Sequence, residues 1–117
     1  SGGAVLDSPI YLPTCWPADF PTYPGSTPVD QLSATSGGTT TCTVKFETFD
    51  PVPSVQDYFH TQIPLAGWSV TFEGTAGATY TLTATKPSKP GEQLLLAADS
   101  TAKPGITEIA SQLTIPS

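Results

Sequence analysis

The chain has 117 residues, a formal charge of −6, four lysines, no arginine and only 12% charged residues. That length holds one domain with one modest core. A chain this acidic, without guanidinium groups, lacks what a nucleic-acid reader or an anionic membrane surface requires, so neither is expected as a partner. Solubility rests on threonine and serine instead, since charged residues fall well below the roughly 25% usual in soluble domains.

Residues 1–28 carry Pro9, Pro13, Pro17, Pro21, Pro24 and Pro28, a density that forbids helix and interrupts central strands. They read as an extended arm, with the domain proper over 29–117. The Ser1-Gly2-Gly3 start reads as the product of processing, as a tether after a lipid-modified cysteine, or as a cloning remnant. The arm is not polar filler. Trp16, Phe20 and Tyr23 need a surface to bury against, and docking is expected from Tyr11 onward. Ala4, Val5, Leu6, Ile10, Tyr11 and Leu12 form a candidate assembly arm, able to add to a neighbouring subunit's sheet edge. Cys15 and Cys42 are too far apart for a CxxC motif and have one histidine to share, so they are expected to form a disulfide, and with it an exported, extracellular or cell-surface protein.

Val29–Ala34, the Ser36-Gly37-Gly38-Thr39 turn and Thr40–Phe49 read as a hairpin. Cys42, Val44, Phe46 and Thr48 share its core face, and Thr43, Lys45 and Glu47 its wet face. After the break at Asp50-Pro51-Val52-Pro53, Val55, Phe59 and Ile63 recur at helical spacing. Ser54 is the expected N-cap, Pro64 disturbs the last turn, and Gly67 is the expected left-handed C-terminal residue. From Trp68 the period changes to two. Trp68, Val70 and Phe72 are expected inward; Tyr80, Leu82 and Ala84 likewise, leaving Thr79, Thr81, Thr83 and Thr85 as an outward contact face. Gln93–Asp99 is apolar on both faces and reads as a central strand covered on both sides. Ile106–Ile115 slips in its alternation, which predicts a bulge between Ile106 and Ile109. The sum is an α+β fold, ββαββββ, with an antiparallel sheet of about six strands and one helix on one face.

The run Pro17-Ala18-Asp19-Phe20-Pro21-Thr22-Tyr23-Pro24-Gly25-Ser26, followed by Val55, Tyr58-Phe59, Ile63 and Gly67-Trp68, resembles uncharacterised exported and lipoprotein-attached bacterial domains. Those domains carry an "aDFPvYPGa" run and a "V..fY...L...GW" helix-to-strand element. The resemblance covers roughly residues 17–86 and implies an extracytoplasmic location with no assigned activity. The Cys15 and Cys42 pair and the long proline arm depart from it.

No constellation for chemistry stands out. His60 lies one helical turn from Asp57 with Ser54 beyond, but three residues on one short helix do not converge as a catalytic triad must. The carboxylates are scattered, with neither a DxDxDG loop nor HExxH, so no metal or cofactor is expected. Tyr11, Trp16, Tyr23 and Trp68 serve a small core more readily than a sugar platform. Two function classes remain: a non-catalytic extracytoplasmic domain that binds a protein or envelope component, and a structural subunit that polymerises through its arm, with copies of itself as partner.

Overall fold

The computed structural model describes residues 9–17 and 20–116. Six strands and one helix follow in the order β1 (Thr27–Ser36), β2 (Thr39–Thr48), α1 (Val52–Leu65), β3 (Ser69–Ala76), β4 (Thr79–Thr85), β5 (Gln93–Lys103) and β6 (Ile106–Pro116). All pair antiparallel in one sheet of order β1-β2-β6-β5-β4-β3. This is the expected ββαββββ α+β architecture. The first strand begins at Thr27, two residues before the expected domain start at 29.

Each turn has a local cause. Gly37 and Gly38 both have positive φ, at 58° and 81°, which is the two-residue hairpin geometry that matches strand twist. The helix starts earlier than expected. Pro51 precedes Val52, Pro53 occupies the first turn, and no side chain caps the N-terminus; two prolines with φ already helical and no N–H to satisfy replace the expected Ser54 cap. At the other end Trp68 N–H donates to Ile63 O (3.2 Å) and Gly67 N–H to Pro64 O (3.0 Å), with Gly67 at φ 94°. This Schellman closure ends the helix despite Pro64 inside it.

The helix-facing side of the sheet is the core. Cys42, Val44, Phe46, Tyr80, Leu82, Leu96, Ile109 and Leu113 are buried there, against Val55, Phe59 and Ile63 of α1. The helix packs chiefly over β3, β4 and β5. The arm covers the rest: Trp16 stacks near Phe46 (6.0 Å) and Phe20 (5.1 Å), and Phe20 meets Trp68 edge-on (6.1 Å). Cys15 is bonded to Cys42, 27 residues away. Docking begins later than expected, since Tyr11 and Leu12 are exposed; Ile10 touches the body through its N–H, which donates to Pro28 O at 2.9 Å. Ala4, Val5 and Leu6 lie outside the described residues.

Three strand details differ from expectation. A bulge between Val70 and Phe72 turns Phe72 outward, where it is 57% exposed. The expected bulge in β6 lies instead in its partner, between Asp99 and Lys103 of β5, opposite Ile106–Glu108. The far side of β5 is not covered, and Leu95 is 42% exposed.

Replacing both Cys15 and Cys42 by alanine removes a crosslink that closes about 27 residues and is expected to cost about 3 kcal/mol in urea unfolding. Gly67→Ala places a Cβ at φ 94° with no clash nearer than 3.9 Å; backbone strain alone should lower stability by about 1 to 2 kcal/mol, read from the urea midpoint.

Candidate functional site

The face away from the helix has no second layer among the described residues. Antiparallel pairing places opposed residues on the same side, so the registers define rows running across the strands. One row reads Leu32, Thr43, Gln112, Leu95, Thr83, Phe72 from β1 to β3. It contains all three large apolar side chains that the sheet leaves exposed, Leu32 at 69% with Leu95 and Phe72. At about 4.8 Å per strand the row is about 24 Å long. Beside it runs a row of small side chains, Ala110, Ala97, Thr81 and Gly74, with Lys45 at its β2 end. A third row carries Glu47, Glu108, Asp99 and Thr79. The surface is a shallow trough with a floor of alanine, threonine and glycine, one apolar wall and one acidic wall.

Among the hollows on this face are two that flank the apolar row. One, of about 270 Å³, is bounded by Asp30, Leu32, Thr43, Lys45 and Ala110. The other, of about 360 Å³, is bounded by Thr83, Thr85, Gln93, Leu95, Gln112 and Thr114. A larger cleft lies elsewhere, an open space of about 490 Å³ between the start of α1 and the sheet tip, touched by Phe49, Pro51, Val52, Thr75 and Ile106.

The acidic wall is largely neutralised. Glu47, expected on the wet face, is fully buried, and Lys103 folds back from the β5–β6 hairpin to place Nζ 2.8 Å from its carboxylate. Lys45 lies 3.8 Å from Glu108. Asp99 accepts from the hydroxyl and backbone N–H of Thr101 and from Thr79, and these bonds hold its carboxyl below the usual range.

On the helix side, His60 finds Glu73, not Asp57. Its Nδ1–H donates to both Glu73 carboxylate oxygens at 2.9 and 3.1 Å, and the Tyr80 hydroxyl donates to the same carboxylate at 2.6 Å. Burial alone would raise the Glu73 carboxyl; the hydrogen bonds from Tyr80 and His60, with the imidazolium charge, hold it below its ordinary value. Burial and the neighbouring carboxylate push the Tyr80 phenol well up. This trio ties α1 to β3 and β4. At the arm, the Tyr23 hydroxyl donates to Asp50 at 2.5 Å, and that bond with burial raises the phenol to about 12.

Among the described residues, no three His, Cys, Asp or Glu side chains converge as a metal site, and no helix is long and apolar enough to cross a membrane. The structure places Thr79, Thr81, Thr83 and Thr85 on the outer face as expected from their period. Leu32, Leu95 and Phe72 were not read as part of that face. Leu32 and Leu95 alternate correctly with it in the sequence, whereas Phe72 reaches it only through the bulge.

With this geometry in hand, the START domain-like family matches residues 27–102, from the first residue of β1 into β5, and the chain belongs to that family. The arm and β6 fall outside the match, although β6 sits between β2 and β5 in the sheet. No curated protein and no solved structure matches the chain.

The Glu73 carboxyl is depressed in the folded state, so its contribution to stability is complete above its ordinary value of 4.5 and is lost as pH falls through the lower folded-state value. Between pH 5 and pH 3 the urea midpoint of the wild type should therefore fall further than that of Glu73→Gln. Parallel curves would show that the trio adds nothing in acid.

Proposed function

We propose that this chain is a non-catalytic, extracytoplasmic binding domain that holds a protein or envelope component along the trough of its outer sheet face. One observation carries the reading: Leu32, Leu95 and Phe72, spread over β1, β5 and β3, fall in a single cross-strand row. Apolar side chains scattered singly over a surface need no explanation, but a row aligned beside a small-residue floor fits an extended, weakly charged chain laid across the strands. The Cys15–Cys42 disulfide supports an oxidising compartment, and the resemblance to exported bacterial domains points the same way. Membership in the START domain-like family favours binding over turnover. His60 supports this too, since its carboxylate partner belongs to a strut between helix and sheet.

The polymer reading has less support. From Cys15 onward the described arm is spent on its own domain, through the disulfide, Trp16 and Phe20. A donor arm would have only the residues before it to offer.

The test is sedimentation of the purified chain with cell-envelope preparations, split into glycan sacculi and membrane-protein fractions. The wild type should co-sediment with one fraction, and Leu95→Lys/Phe72→Lys, two substitutions at exposed positions, should weaken that binding about tenfold, near 1.4 kcal/mol, with an unchanged circular dichroism spectrum. Equal binding by the double variant would move the site off this face; no binding to either fraction would remove the reading.

A further inference from the structure

We propose that β1 pairs edge to edge with β1 of a second copy, giving an isologous dimer with one continuous twelve-stranded antiparallel sheet. The sheet has two edges, and they are built differently. An open edge presents unpaired N–H and C=O groups, and strands that must stay single are shortened, bulged or charged. The β3 edge has these devices: eight residues, a bulge between Val70 and Phe72, Gly74 within it, and Glu73 drawn inward by His60 and Tyr80. The β1 edge has them only at its start, in Pro28, the shift after it and Asp30. It runs ten residues, its register shifts only at its start between Pro28 and Asp30, and every residue from Asp30 to Ser36 is exposed. That stretch holds no lysine and no proline.

The occupant follows from the same residues. Ile10 N–H is bonded to Pro28 O, so the arm closes the beginning of the edge; Gln31 N–H donates to the Asp30 carboxylate at 2.9 Å, a local bond a partner strand would exchange, and no described element lies along the rest of Asp30–Ser36. The midpoint of that stretch is Ser33. A twofold axis normal to the sheet at Ser33 sets Leu32 of each copy against Ala34 of the other, Gln31 against Thr35, and Asp30 against Ser36. The bulky exposed Leu32 then meets a small side chain, and no two charges oppose each other. The two Asp30 carboxylates stand six residues apart along the strand, about 20 Å, beyond the screening length of about 8 to 10 Å near physiological salt. Because the contact is self-complementary it closes at two copies and cannot grow into a filament. Each copy carries −6, so added salt should tighten the dimer. The inference stands independently of what the outer trough binds.

The experiment is native mass spectrometry and light scattering on the full chain over a concentration series at low and moderate salt. Expected is a dimer, tighter at moderate salt. Leu32→Lys/Ala34→Lys sets lysines opposite each other twice and should raise the dissociation constant roughly tenfold or more, with an unchanged urea midpoint. Leu32→Glu/Ala34→Glu should do the same, and mixing the two variants should restore a dimer of mixed composition. A wild type that stays monomeric throughout, or a dimer indifferent to both double variants, would overturn the proposal.

Discussion

A helix about 10 Å across cannot cover a sheet of six strands, which at about 4.8 Å per strand is some 24 Å wide. The rest of the structure answers that mismatch. α1 takes the half of the inner face made by β3, β4 and β5, and on its own it would leave Cys42, Val44 and Phe46 in water. The arm is the missing part of the second layer. Its described residues have no regular structure of their own, so the aromatic side chains among them must find their order from the sheet they cover, and the bond between Cys15 and Cys42 holds them there. Burying Trp16 and Phe20 is each worth about 3 to 5 kcal/mol by the cost of truncating such residues, comparable to the whole margin of a domain this size.

The same shortage explains the composition of the other face. With one helix and one arm spent on the inner side, no described element is left for the outer side, and the strands there must tolerate water without forming an adhesive apolar surface. Threonine answers both demands, since its branched Cβ suits a strand and its hydroxyl suits solvent. Against that background Leu32, Leu95 and Phe72 are departures from the pattern, and their common row is what gives them meaning.

Period and punctuation made the sheet legible in the sequence: the glycine pair at 37 and 38, the threonine alternation of β4, and the Gly67-Trp68 exit from the helix all sit where the pattern put them. What escaped was set by contacts distant in the chain. A bulge inverts Phe72 because one extra residue reverses every later side chain of a strand, and alternation cannot announce it. Glu47 reads as exposed because its partner, Lys103, lies 56 residues away. Ser54 looks like a cap until Pro51 and Pro53 are seen to start the helix without one. His60 drew attention beside Asp57 and turned out to be a strut against Glu73, a pairing that only the fold creates.

The arm also makes the fold conditional on its surroundings. Trp16 Nε1 is the one buried side-chain donor without a partner among the described residues, so the arm–sheet contact is apolar around Trp16, and the polar ties of the arm, Tyr23 to Asp50 and Ile10 N–H to Pro28 O, lie away from it. Aromatic burial alone would let the arm slide or lift; the covalent bond fixes one position among several of similar area. Reduction would therefore release more than a loop. It would free the segment that completes the core and bare Val44 and Phe46 beside the open edge of β1, joining an apolar surface to an unpaired strand, the combination that drives aggregation. A sheet with this division of labour is suited to a compartment where the Cys15–Cys42 bond persists.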